Sequence, residues 1–209
     1  MAFGPPPYSN EITCAECGKN LPDATKRCGL CDLPVCNDTC QLGHNHYIEC
    51  QILQPVRNSV HDLTLKLKSV LPIRILATKS SSETAYNRSK LFNLGILMVK
   101  ILKVIYSEFF FLEYLLPTCL DLDSTKLEPG LIEFVSSLTS VSPEEAKRAV
   151  ILARKRTVDS PNNTSVFFPI FSTTKHNCSP NAKFIVYPNH CIAMQAQKLI
   201  PCGQEIKVR

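Results

Sequence analysis

Beyond Cys50 the apolar residues of this chain fall into a helical rhythm, and beyond Val166 they change to short strand-like runs. In the helical part Pro72 opens the segment PIRILATK, a polar break follows at KSSSETAYNRSK, and a long apolar stretch from Leu91 reaches Pro117, where a helix should stop. A further helix is predicted after Ser142: Pro143 takes the first helical position, and Glu145 completes a capping box ahead of EEAKRAVILARKR. The acidic first turn and basic last turn of this segment suit the helix dipole. The final part reads VFFPIFS, AKFIVYP, CIAMQAQKLI and EIKVR, apolar runs separated by Pro, Asn and Gly, which predict short strands and tight turns. Between the two parts SPNNTS, from Ser160 to Ser165, reads as a loop at the boundary.

Composition narrows the possible functions. With 209 residues, 44% of them hydrophobic, the chain can bury a core. Its net charge of +5 is spread without a run of five like charges, which argues against nucleic-acid binding. The cluster Phe109, Phe110 and Phe111 then reads as core, since no basic stripe interleaves it as in a base-stacking platform. Lys100, Lys103, Glu108 and Glu113 interrupt the stretch from Leu91 to Leu116, so a membrane span is not expected. The opening MAFGPPPYSNEIT has neither a basic n-region nor an apolar h-region, which points to a reducing compartment, the nucleus or cytoplasm. The sequons at Asn87 and Asn162 are then chance matches.

In a reducing compartment a dense set of cysteines favours metal over disulfides. Seven of the 11 cysteines lie between Cys14 and Cys50. Cys14-x2-Cys17 and Cys28-x2-Cys31 are knuckle pairs, each able to present two thiolates to one ion. Cys36-x3-Cys40 and His46-x3-Cys50 have the spacing that puts two side chains on one face of a helical turn. Four pairs suffice for two closed tetrahedral zinc sites, whose binding energy becomes folding energy for a segment too short to build its own core. His44 competes with His46 as the histidine ligand, but only His46 stands four residues before Cys50.

The order C-x2-C, C-x2-C, C-x3-C, H-x3-C resembles the MYND zinc finger. The resemblance implies interleaved sites, with Cys14, Cys17, Cys36 and Cys40 on one zinc ion and Cys28, Cys31, His46 and Cys50 on a second. Spacing alone leaves the pairing open.

In the final part, His176-x-Cys178-x-Pro180-Asn181, followed by Gly203-Gln204-Glu205-Ile206, resembles the NHxCxPN and GEEI motifs of the SET domain. Together the two motif sets are similar to the SET and MYND domain-containing (SMYD) family, and the CDLPVC knuckle is most similar to its arthropod branch. The resemblance implies S-adenosylmethionine-dependent methyl transfer to a lysine amine, with cofactor contact at the positions of Lys175 and His176, Asn181 in the pseudoknot and Glu205 in the closing strand. Three departures weigh against catalysis. Lys175 stands where the family has Asn and sets a cation against the cofactor's ammonium. GPPP is not the family's Gly-x-Gly cofactor loop, and by register the family's tyrosine would follow Arg209. No catalytic residue is therefore assigned. Cys178 is expected to be a free thiol, and Cys119, Cys191 and Cys202 are expected to be buried.

The expected fold is α+β: an N-terminal extension over 1–13, a MYND-type finger with two zinc sites and short helices over 14–50, a helical SET-insert region over 51–160, and a small β-rich SET-like core, truncated, over 161–209. The expected function is protein interaction or transcription regulation, with a proline-containing peptide bound through the finger. The alternative is an active S-adenosylmethionine-dependent protein-lysine methyltransferase in its full-length form, acting on a histone or another lysine-bearing protein.

Overall fold

The computed structural model describes residues 2–5, 11–21, 26–58, 63–91, 128–161, 164–168, 171, 174–187 and 191–209. The expected helix from Leu91 to Pro117, the Phe109–Phe111 cluster and Cys119 lie outside the described residues. The fold is mixed α+β. In chain order it comprises β1 (Ala2–Gly4), α1 (Asp38–Gln41), α2 (His44–Leu53) with a 3-10 turn at Gln54–Val56, and α3 (Leu63–Leu91). There follow α4 (Pro129–Thr139), α5 (Pro143–Lys155), β2 (Thr157–Ser160), β3 (Thr164–Phe167), β4 (Lys175–His176), β5 (Ala182–Val186), β6 (Ile192–Ala196) and β7 (Lys207–Val208).

Helix α3 departs from the sequence expectation. It begins at Leu63, so Pro72 lies in its interior and does not open it. The missing N–H and the ring clash of an internal proline cost about 3 kcal/mol. Burial of Leu67, Val70 and Leu71 before it, and of Ile73 and Ile75 after it, offsets that cost, since each such side chain contributes about 1.5–3 kcal/mol. The stretch expected as a polar break is helical in backbone. Helix α5 follows the capping box: Ser142 accepts the Glu145 N–H at 3.2 Å, and Pro143 sits in the first turn.

The boundary between helices and strands also moves. Strand β2 already begins at Thr157, and Ser160, Thr164 and Ser165 of the SPNNTS segment lie in the paired strands β2 and β3. Strand β3 is central in a three-stranded antiparallel sheet of order β1-β3-β2, with Phe3 opposite Val166 and Val158 opposite Val166 on the other side. The first residues are thus a buried edge strand, placed against α3 where a Cβ on Gly4 would press on Leu71.

One apolar core joins the cysteine-rich segment to the helices. Leu33, Val35 and Leu53 pack in the same cluster as Val70 and Ile73 of α3, Phe134 and Val135 of α4, and Val150 and Ile151 of α5. A second cluster sets Ala2 and Phe167 against Leu71, Ile75, Ala149 and Leu152. The C-terminal segment adds the antiparallel β5–β6 hairpin and a parallel pairing of β4 with β7, Lys175 opposite Lys207 and His176 opposite Val208. Asn181, 4% exposed, fastens this end: its Nδ2 donates to Glu205 O at 2.9 Å and its Oδ1 accepts the Lys207 N–H at 2.8 Å. Asn181→Ala removes the partner of the part-buried Lys207 N–H and Glu205 C=O and is expected to lower stability by about 1 kcal/mol. Urea denaturation measures this, and an unchanged midpoint would show that the C-terminal pairing does not depend on Asn181.

Candidate metal centre

Each C-x2-C knuckle is built the same way. The Cys14 N–H donates to Lys19 O at 2.8 Å and the Gly18 N–H to Cys14 O at 2.9 Å; the Cys28 N–H donates to Leu33 O at 2.8 Å and the Asp32 N–H to Cys28 O at 3.0 Å. The fourth residue after the first cysteine turns the chain with positive φ, 74° at Gly18 and 68° at Asp32. Glycine adopts this freely, whereas Asp32 is held there beside Arg27, whose Nη1 donates to Asp32 Oδ2 at 2.9 Å.

The helical pairs differ from each other. His46 and Cys50 both lie in α2 on one buried face, as their spacing predicts. Cys36 does not lie on a helix with Cys40: Asn37 is the extended N-cap of α1, and its Oδ1 accepts the Cys40 N–H at 2.9 Å. A helix cap, rather than a helical face, thus brings Cys40 back toward Cys36.

The folded chain gathers the eight residues into two groups, Cys14, Cys17, Cys36 and Cys40, and Cys28, Cys31, His46 and Cys50, each with its ligand atoms within 4.8 Å of one another. In the first group Cys17 Sγ lies 3.5 Å from Cys36 Sγ. In the second, Cys28 Sγ lies 3.7 Å from Cys50 Sγ, and Cys31 Sγ lies 3.6 Å from His46 Nε2. A tetrahedral ion with Zn–S bonds of about 2.3 Å and a Zn–N bond of about 2.0 Å requires S···S edges of about 3.8 Å and an S···N edge of about 3.5 Å. The donor sets therefore fit zinc in size and chemistry, and the sulfurs are too far apart for disulfide bonds of about 2.05 Å. His46 is fully buried, whereas His44, the other candidate, is exposed at the start of α2.

Electrostatics within the clusters point the same way. Burial opposes a charge on Cys28, but hydrogen bonds from His46 and from the Cys31 and Leu30 backbone outweigh it and bring its pKa down to about 7. Burial together with the nearby charge of Cys28 pushes Cys50 up to about 11, and burial with charge from Cys28 and Cys50 pushes Cys31 up further. Cys14 is likewise lowered, its burial outweighed by N–H groups of Cys17, Cys36 and Glu16. Burial and the charges of Cys14 and Cys17 raise Cys40 to about 11, and burial with its neighbours Cys17 and Cys14 raises Cys36. Each pocket thus favours one thiolate and holds the others protonated, and a bound cation would let them ionise together.

Behind the second cluster stands a buried relay that the sequence reading missed. His46 Nδ1 contacts Glu49 Oε1 at 2.9 Å, which fixes the ring with Nε2 toward Cys31. Arg74, in α3 and 2% exposed, clasps the same carboxylate, Nη2 to Oε1 at 2.6 Å and Nε to Oε2 at 2.8 Å. Its remaining donors reach Phe3 O at 2.6 Å and Ala15 O at 2.7 Å, and the guanidinium lies over the Phe3 ring. Glu16 completes the brace by accepting the His46 N–H at 2.7 Å, capping α2 where its N-cap, Gly43, has no side chain. A Cβ on Gly43 would strike the Glu16 carboxylate, so glycine leaves that cap its room. The one available signal for Glu49 was its position three residues after His46; Arg74 had none.

The C-terminal candidates form no comparable centre. Lys175 and His176 are exposed on β4. Lys175 Nζ is paired with Glu205 Oε1 at 2.8 Å, and its hydrogen bond and charge hold the Glu205 carboxyl below the usual range. Glu205 itself lies just before β7, not in the closing strand. His176 Nε2 is 3.7 Å from the exposed Cys178 Sγ. Cys191 and Cys202 are exposed, contrary to the expectation of burial, because both lie in turns flanking the thin β5–β6 and β7 pairings rather than under a second layer.

Among the described residues no helix is long and apolar enough to cross a membrane. Compared with known proteins, the chain matches no family model and no curated protein. Fold and site together define an α+β chain with two cysteine-rich clusters compatible with zinc.

Two outcomes are expected. Cys31 and Cys36 titrate far above neutrality and Cys40 and Cys50 near pH 11, so these thiols are protonated at pH 7 and must release protons on binding zinc. Zinc affinity should therefore rise with pH and fall as acid returns the protons, by about tenfold per pH unit for each proton displaced. Calorimetry in buffers of different ionisation enthalpy counts those protons, and a pH-independent affinity would contradict this assignment. Glu49→Gln should weaken zinc at the second cluster about 10–100-fold and the first, which Glu49 reaches only through Arg74 and Ala15 O, much less. Chelator competition resolves the two sites; equal weakening of both would mean that Glu49 acts only through global stability.

Proposed function

We propose that this chain is a zinc-stabilised protein-interaction module of the SET and MYND type, acting in transcription regulation in the nucleus or cytoplasm. The observation that carries this reading is the closure of both clusters. Each offers four protein ligands and no open coordination position, the arrangement of structural rather than catalytic zinc. The same segment presents Leu30, Leu42 and Tyr47 to solvent at 52%, 84% and 60% exposure. Apolar side chains held on a metal-rigid frame suit the docking of an extended, proline-containing peptide, which loses little entropy on binding.

A second reading, lysine methyl transfer with S-adenosylmethionine on a histone or another lysine-bearing protein, is favoured by one observation. The KHNCSPN and GQEI segments meet, with β4 parallel to β7 and the Asn181 side chain on Glu205 and Lys207. In that reading His176 would contact the cofactor. Against it stands Lys175, a cation at the position that should receive an ammonium, on a strand exposed to water. The interaction reading is therefore preferred.

Calorimetric titration of S-adenosylmethionine into the purified chain separates the two. No detectable heat of binding is expected; micromolar affinity would overturn the preference. On the interaction reading, Leu42→Asp should abolish binding of a proline-containing peptide while the zinc content stays unchanged, measured by fluorescence anisotropy alongside elemental analysis.

A further inference from the structure

The two clusters differ in access to solvent. All four members of the second are buried, and its histidine is held by the Glu49–Arg74 relay. In the first, Cys14 is buried, Cys36 and Cys40 are partly covered, and Cys17 is exposed. Cys17 Sγ lies 3.5 Å from Cys36 Sγ, at the surface. Cys14 Sγ, 1% exposed, also accepts the Cys36 N–H at 3.4 Å, which damps its nucleophilicity. Within the second cluster Cys28 and Cys50, 3.7 Å apart at sulfur, are sealed from solvent.

We propose that Cys17 and Cys36 form a peroxide-sensitive modification site that releases the metal of the first cluster while the second cluster keeps the fold. The inference rests on the zinc reading above. The Cys17 thiolate attacks one oxygen of a hydroperoxide, breaks the O–O bond and becomes a sulfenic acid, the departing oxygen taking a proton to become water or alcohol. The Cys36 thiolate then attacks the Cys17 sulfur, the S–O bond breaks, and the hydroxide leaves as water after taking a second proton. Two thiolates are oxidised by two electrons to one disulfide, and the peroxide is reduced by the same two. The ion loses two of its four ligands and departs. Attack by Cys17 is favoured because oxidation follows access, and Cys17 is the exposed member of the cluster.

The core explains why such a change stays local. Leu33 and Val35, between the knuckles and α1, are buried with α3, α4 and α5, and the Arg74 clasp holds the first knuckle through Ala15 O rather than through the metal. Oxidation would therefore alter the face formed by the first knuckle and α1, which carries Leu42 just beyond its end, without unfolding the module.

The zinc-loaded full chain is treated with equimolar hydrogen peroxide, and ion release is followed with a chromogenic chelator while cross-linked peptides are mapped by mass spectrometry. Elemental analysis first establishes the starting content. Two ions per chain are expected, and none would overturn the zinc reading while leaving the Cys17–Cys36 cross-link to be read by mass alone. Release of one ion, retention of the other and a Cys17–Cys36 disulfide that reverses with dithiothreitol are the expected results. Simultaneous loss of both ions, or a cross-link at Cys28–Cys50 in place of Cys17–Cys36, would overturn the proposal. Cys17→His keeps a four-ligand set but removes the attacking thiol. It should hold two ions and resist release, and unchanged release from it would also overturn the proposal.

Discussion

The buried clasp of Arg74 on Glu49 is the interaction on which the rest of this structure depends. A guanidinium and a carboxylate that leave water lose several kcal/mol of solvation each, and the loss is recovered only when every donor and acceptor is met. Here the partners come from different parts of the chain: His46 of the second cluster, Ala15 of the first knuckle and Phe3 of the edge strand. Removing either charge would strand the other in an apolar interior, so the metal module, α3 and the sheet are energetically one body.

That coupling changes what a bound metal would do. In an isolated finger the ion alone replaces a missing core. In this chain Leu33, Val35 and Leu53 share a core with three helices, and the ligands are set from behind by Glu49 and Glu16. A bound metal and the core would reinforce each other unequally at the two clusters. The buried group of three cysteines and a histidine is tied to the relay, whereas the more exposed group of four cysteines lies toward solvent. The two clusters thus differ in access, one sealed in the interior and the other facing solvent.

At the C-terminal end the constraint is weaker. Two-residue pairings such as β4–β7 have little stability of their own. Asn181 supplies what they lack by bonding the passing backbone, and the Lys175–Glu205 pair beside it is exposed and adds little. Ile185, Tyr187, Met194 and Leu199 remain exposed there, in keeping with a thin sheet that has no second layer among the described residues.

Local chemistry was legible in the sequence because it is written in short spacings. The eight ligands, the Ser142 cap and the late strands each depend on residues within about four positions of one another, the range over which a turn or helix face is specified. The preference for His46 over His44 was of this kind. The pairing of knuckles was not, since either helical pair could complete either knuckle until the shared core fixed their approach. Pro72 misled because a local rule, that proline starts or stops helices, yields when enough apolar surface is buried on both sides of it. Arg74 lies 25 residues from Glu49 in sequence and 71 from Phe3, and no pattern links an arginine in a helix to a carbonyl in an edge strand. The sequence by itself determined which side chains can bind metal; the tertiary structure decided how they are grouped, which cluster is sealed and which faces water, because burial and long-range hydrogen bonds exist only once the chain has closed on itself.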